Sequence, residues 1–203
     1  MIPAIPCELV ASHAEFRRLD DIARIQVDLR YASPNNFVGR DVYSPLDCAW
    51  LHCDAARGLE KSVAWLASQQ PDLQLMVLDA MRPQRVQEQL WDALRDTDLQ
   101  MYLANPVRGS IHSFGMAVDI TVIDKQGNEL DMGTSFDDLT ELSHPAKENE
   151  FLASGALNRK QLDNRRLLRE AMRHGGFAGI NTEWWHFDCG DRLVVRTQFA
   201  RIL

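Results

Sequence analysis

Apolar side chains recur along this chain in two rhythms, and the change from one to the other outlines most of its elements. In residues 54–69, DAARGLEKSVAWLASQ, Leu59, Val63 and Leu66 fall three and four apart, the spacing that lines one face of a helix, and Pro71 stands just past its predicted end. Residues 73–80, LQLMVLDA, form a short, nearly continuous apolar run suited to a buried strand. Pro83 then sits where a first helical turn accepts proline, and Val86, Leu90 and Leu94 keep a helical register through QRVQEQLWDALRD. Arg82 is therefore predicted at a strand-to-helix junction.

AVDITVI at 117–123 is rich in β-branched residues, and the DKQGNE that follows carries Gly127 and Asn128, so a hairpin returning at Leu130 is expected. A charged amphipathic helix is predicted over 159–174, with Leu162, Leu168, Ala171 and Met172 on or near one face and Gly175 and Gly176 as a left-handed cap. A last strand is expected at EWWHFD, residues 183–188. Helices and strands mix without a regular βαβ repeat. The pattern predicts an α+β fold, one domain over residues 1–203, built on a small, mainly antiparallel sheet flanked by helices.

Composition narrows the function. A chain of 203 residues with 45% hydrophobic side chains can bury one sizeable core. Its 29 acidic and 22 basic residues leave a formal charge of -7, and the basic ones are scattered, which argues against a phosphate-backbone partner; no nucleic acid is expected. No segment approaches the roughly 20 apolar residues of a membrane span, and MIPAIPCELVASHAEF at the start lacks the basic and apolar regions of a secretory leader. The expected location is the cytoplasm, or the periplasm if a leader has been removed. Cys7, Cys48, Cys53 and Cys189 show no Cys-x-x-Cys spacing and are expected to be reduced thiols. Nothing in the pattern sets the oligomeric state, and a homo-oligomer stays open.

One residue breaks the apolar logic. Asp119 lies in the middle of the 117–123 strand, where an unpartnered carboxylate is expensive because the interior cannot replace its water. A zinc ion would compensate it. Catalytic zinc takes three protein ligands from His and carboxylate and keeps a fourth position open, and His112, Asp119 and His186 have the right number and type. Such an ion would stay net positive, acidify its water and polarise a carbonyl. Glu183, three residues before His186, would be the carboxylate that takes a proton without binding the metal. On a regular strand residues 183 and 186 face opposite sides, so Glu183 is expected on an irregular approach to the strand or beside a bulge.

These residues also resemble a known family. SIHSFGMAVDI at 110–120 matches Ser-x-His-x-x-Gly-x-Ala-x-Asp and EWWHFD matches Glu-x-x-His, the paired motifs of zinc D-alanyl-D-alanine dipeptidases of the VanX type, which are related to D,D-carboxypeptidases and to the hedgehog signalling domain. The resemblance extends through VDLRYASPNNFVG, LDAMRPQR and DMGTSFDDLTELSHP, from about Val27 to Asp188. It implies a hedgehog/D,D-peptidase-like fold and one zinc per chain held by His112, Asp119 and His186. It also implies Glu183 as general base and then general acid, and Arg82 as the cation that stabilises charge on the scissile carbonyl oxygen. Asp137 matches the carboxylate that holds the substrate ammonium, with Ser110 and Tyr31 as its neighbours. A zwitterionic dipeptide offers little apolar surface, so a cation near one end and an anion near the other should recognise it.

The implied reaction is hydrolysis of D-Ala-D-Ala or a related D,D-dipeptide in cell-wall precursor or peptidoglycan turnover. A peptidoglycan D,D-carboxypeptidase or L,D-endopeptidase is the nearest alternative, and a non-catalytic hedgehog-like zinc-binding module is a third reading, against which Glu183 and Arg82 count. Trp184 and Trp185 are expected to wall the site or pack behind it, and His144 and His174 to be structural. Phe114 stands where members of the family often have Arg, and this aromatic is expected to alter the polarity of the pocket.

Overall fold

The computed structural model describes residues 4–203. Its strands are β1 (Ala4–Ile5), β2 (Phe16–Arg18), β3 (Ile25–Val27), β4 (Trp50–His52), β5 (Gln74–Asp79), β6 (Ala117–Ile123), β7 (Phe177–Gly179), β8 (His186–Cys189) and β9 (Arg201–Ile202). Its α-helices are α1 (Cys53–Gln69), α2 (Gln84–Ala93), α3 (Glu148–Ser154), α4 (Arg159–His174) and α5 (Arg192–Gln198). The central sheet runs β3-β5-β6-β8-β7, and only the β3–β5 pair is parallel. Small pairs β1–β9 and β2–β4 lie beside it. The fold is α+β with a mainly antiparallel sheet, as the mixed periodicities predict.

β6 is buried at all seven positions, which is why its sequence is almost entirely apolar. Its neighbours set out a row of polar side chains across three strands, since Asp119 pairs with His186 of β8 on one side and with Asp79 of β5 on the other. An irregularity in β5 between Val77 and Asp79 brings the second pair into line. Residues two apart on a strand share a face, so Asp188 stands beside His186.

α1 and α4 pack on each other and against β5, β6 and β7. Their crossing is too close for side chains: a Cβ on Gly175 would lie 2.4 Å from the Gly58 carbonyl oxygen, and one on Gly58 2.7 Å from that of Gly175. This corrects the expected cap. Gly176 is left-handed at φ 84°, but Gly175 is right-handed at φ −79° and is glycine because α1 runs against it. α4 opens on a capping box, with the Asn158 side chain accepting from Gln161 N–H and the Gln161 side chain accepting from Asn158 N–H.

Three further expectations shift in detail. Pro83 is the residue before α2 and not its first turn, and α2 ends at Ala93. The hairpin after β6 does turn at Gly127, yet its return consists of a single bridge from Ile123 to Glu129. The final strand begins only at His186, which leaves 183–185 as the irregular approach expected for Glu183. No described helix is long and apolar enough to cross a membrane.

Candidate active site and metal centre

The polar row on β5, β6 and β8 opens into a cavity of about 360 Å³, and all eight residues singled out from sequence line it: Tyr31, Arg82, Ser110, His112, Asp119, Asp137, Glu183 and His186. His112 arrives on a short 3-10 turn, Ile111–Phe114, which closes on Gly115 in the left-handed conformation. A Cβ at Gly115 would meet the backbone N–H of His52 at 2.8 Å, so the motif glycine is required both by its φ of 64° and by the approach of β4.

Three donor atoms converge. Asp119 Oδ1 lies 2.9 Å from His186 Nδ1 and 3.4 Å from His112 Nε2, and the two ring nitrogens are 3.1 Å apart. The outer partners of each ring decide which nitrogen is bare. His112 Nδ1 lies 2.7 Å from the carbonyl of Ala80, which can only accept, so that nitrogen carries the proton and Nε2 presents a lone pair. His186 Nε2 lies 2.9 Å from Asp188 Oδ1 and donates to it, which bares Nδ1. Two imidazole lone pairs and a carboxylate oxygen pointed at one another repel unless a cation lies between them. Their separations match the edge of about 3.3 Å of a tetrahedron with metal–ligand bonds near 2.0–2.1 Å. His112, Asp119 and His186 form the one such group among the described residues able to hold a metal ion.

Burial pushes Asp119 up, but the two imidazoles outweigh it and hold the carboxyl well below its usual range. Burial pushes His186 down, and the charges and hydrogen bonds of Asp188 and Asp119 reverse this, raising it well above an ordinary histidine. Asp188 is raised by burial but held at about 2 by His186 and Arg192. Arg192 Nε donates to Asp188 Oδ2 at 2.5 Å, completing a chain from solvent to the metal group.

Arg82 is buried and held from four directions. Nε and Nη2 donate to Asp79 Oδ2 at 2.8 and 2.6 Å, Nη1 to Gln87 Oε1 at 3.0 Å, and Nη2 also to Asp119 Oδ2 at 3.3 Å. Its guanidinium lies over the Tyr31 ring, 5.0 Å from the centroid. Of five N–H groups, one on Nη1 has no protein partner. Asp79 is fixed in turn by donation from the Tyr43 hydroxyl and from Ala80 N–H.

Asp137 has φ 60°, a conformation that aspartate and asparagine tolerate better than most residues. Tyr31 OH donates to its Oδ1 at 3.1 Å and Phe37 N–H to its Oδ2 at 3.3 Å. These bonds lower its pKa, as does Arg82, yet burial and the nearby Asp119 charge raise it to about 8. Glu183 makes no hydrogen bond to another side chain; burial raises it to about 7 against the pull of His186. Both carboxyl groups face the cavity.

Some expectations move. Tyr31 is the neighbour of Asp137 that the resemblance implies, but Ser110 is not bonded to it and lies next to Gly109, on the His112 side. Trp185 lines the cavity, while Trp184 packs behind it and donates from Nε1 to Thr134 Oγ1 at 2.8 Å. Phe114 is not among the residues that line the cavity: it is fully buried, with the Arg201 guanidinium 5.4 Å from its ring centroid, so the expected direct effect on the pocket has no contact behind it. His174 stacks on Trp65, and His144 hydrogen-bonds Tyr102 at 2.8 Å. Sequence reasoning missed Asp79, Asp188 and Gln87. The signal for Asp188 was present, two residues from His186 on a strand and hence on its face; Asp79 and Gln87 reach Arg82 through the β5–α2 turn, which no periodicity reports.

The profile of the peptidase M15 family, D-ala-D-ala dipeptidase, matches residues 12–202. A D-alanyl-D-alanine dipeptidase of Escherichia coli K12 is 40% identical over 164 residues, covering 81% of this chain and 78% of that protein. Proteins of the same name from Enterococcus faecium and Synechocystis are each 30% identical, over 91% and 70% of this chain and 96% and 70% of their own lengths. A match that runs almost from end to end, over a site whose donors converge as a metal requires, makes this chain a member of the peptidase M15 family, D-ala-D-ala dipeptidase.

Proposed function

We propose that the protein is a zinc-dependent dipeptidase that hydrolyses D-Ala-D-Ala, or a closely related D,D-dipeptide, in cell-wall precursor or peptidoglycan turnover. The observation that carries this reading is the convergence of three bare donor atoms, on His112, Asp119 and His186, in the cavity that Asp137 also enters. Zinc held there would supply Lewis acidity, polarising the scissile carbonyl and lowering the pKa of a water. The D,D preference follows the names of the relatives.

The chain's own residues would do the rest. Glu183 takes the proton of the attacking water and returns it to the leaving amine, two tasks suited to a carboxyl whose burial moves it toward neutrality. Arg82 offers its unpaired Nη1–H to the carbonyl oxygen as negative charge grows there. Its other bonds fix the guanidinium in advance, so little reorganisation accompanies the reaction. Asp137 and the Tyr31 hydroxyl receive the substrate ammonium, because a carboxyl that ionises reluctantly when alone gains most from a cation.

Elemental analysis and a substrate pair test this. One zinc per chain is expected, activity should vanish with a chelator, and D-Ala-D-Ala should be cleaved while its N-acetyl derivative is not. Active protein without metal would overturn the metal assignment, and equal cleavage of the acetylated dipeptide would make the enzyme a carboxypeptidase.

A further inference from the structure

Resting on the dipeptidase reading, a second question is what meets the other end of the substrate. Arg192 and Arg196 stand four residues apart on α5, and with Arg108, from the turn before Ser110, they line the same cavity as the metal group. Arg192 is engaged by Asp188. Arg196 makes one hydrogen bond, from Nε to the Gly109 carbonyl at 3.0 Å, and leaves both Nη groups without a protein partner. Arg108 forms no ion pair with any described residue, although Arg17, Arg18, Arg30, Arg85 and Arg169 each reach a carboxylate. Arg201 adds a fourth cation nearby, donating from Nη2 to the Arg108 carbonyl at 3.1 Å.

Such crowding is unfavourable as it stands. Burial, then the charges of Arg108 and Arg192, lower the pKa of Arg196, and Asp188 is the carboxylate acting against them. The charges that bear most on Asp137 are instead Asp119 and Arg82. The metal group is joined to each set by hydrogen bonds: through Asp119 to Arg82, and through His186 and Asp188 to Arg192.

We propose that Arg196, assisted by Arg108, receives the free C-terminal carboxylate of the dipeptide. A planar guanidinium with both Nη groups open matches a carboxylate in two parallel hydrogen bonds. The site then reads both termini, and a substrate that continues beyond its C-terminal residue would present a neutral amide and leave the arginines uncompensated. This makes the pocket a dipeptide site at both ends and not an endopeptidase cleft.

The test measures kcat and KM of the metal-loaded enzyme on D-Ala-D-Ala and on its C-terminal amide. Wild type should prefer the acid. Arg196→Met should lose about 10–100-fold in kcat/KM on the acid, mainly through KM, and little on the amide, with Arg196→Lys recovering part of the loss. Arg196 also ties α5 to Gly109, so Arg108→Met, on an exposed turn, is the second variant and should show a smaller loss of the same acid-selective kind. Equal losses on acid and amide, or none on the acid, in Arg108→Met and in any folded Arg196→Met overturn the assignment while D-Ala-D-Ala turnover by wild type still upholds the dipeptidase. Failure of wild type to cleave D-Ala-D-Ala overturns that reading and this one with it.

Discussion

Asp137→Asn should stabilise the metal-free protein at alkaline pH while impairing the loaded enzyme. The sign follows from the pKa, which lies near 3.9 in an unfolded chain and is raised to about 8 in the fold. Between those values the folded protein retains a proton that the unfolded chain has released. The contribution of Asp137 is thus fully present below about pH 4 and is lost as pH rises through about 8. Four pKa units would correspond to about 5–6 kcal/mol in a sealed site; Asp137 opens onto cavity water, and screening reduces this to about 2–3 kcal/mol. In a chain of this size that is roughly 4–12 °C in melting temperature.

Asparagine suits the test because it tolerates φ 60° and can still accept from Tyr31. Its amide nitrogen cannot accept from Phe37 N–H, a loss of about 1 kcal/mol that is the same at every pH. The variant should therefore melt slightly below wild type at pH 5 and above it at pH 8. Chelator-treated proteins compared by urea or thermal unfolding at pH 5, 6.5 and 8 give the answer, since Glu183 and other titrating groups cancel in the difference. A wild-type-minus-variant difference that does not change with pH would refute the reasoning. Loaded with metal, the same variant should lose about 10–100-fold in kcat/KM on the free dipeptide, the worth of a charge-assisted hydrogen bond. Function and stability would then pull in opposite directions at one residue.

Two further outcomes separate the roles inside the site. Glu183→Gln should keep its metal and fold but lose at least about 10³ in turnover, whereas His186→Ala should lose metal and activity together; metal content and rate measured in parallel would expose Glu183 as a ligand if the Gln variant came out empty. Asp188→Asn removes the charge that orients His186 and should weaken metal binding by about 10–100-fold in a chelator competition, and unchanged affinity would show that the Asp188 contact does not set the orientation of that ring.

What sequence reveals of this molecule depends on how local the physics is. β6 was legible to the residue because burial on both faces leaves a continuous apolar run, and the same burial made Asp119 conspicuous. α4 was equally legible in its bounds and its apolar stripe, which lie within one segment. The reason for Gly175 was not legible, because it lies in Gly58, more than a hundred residues upstream on another helix. α5 escaped notice altogether: at seven residues it carries too little periodicity, although two of its arginines reach the cavity. Phe114 lies outside the cavity lining because a position two residues from the proposed ligand His112 need not face the same way.

The proposed ligands can be read one at a time from their motifs, but the groups that would aim them depend on strand register. Asp119 meets His186 because β6 and β8 pair Ala117 with Asp188 and Val118 with Phe187. A slip of one residue in β8 would turn His186 and Asp188 to the opposite face and bring Phe187 opposite Asp119, removing a proposed ligand and its orienting carboxylate together. The irregularity in β5 does comparable work for Asp79, placing it opposite Asp119 where both can hold Arg82. Five side chains of the proposed site therefore depend on two strand registers. Motif spacing within the chain does not encode those registers; the complementary packing of the buried faces does, with Val118, Ile120 and Phe187 on the side away from the metal group.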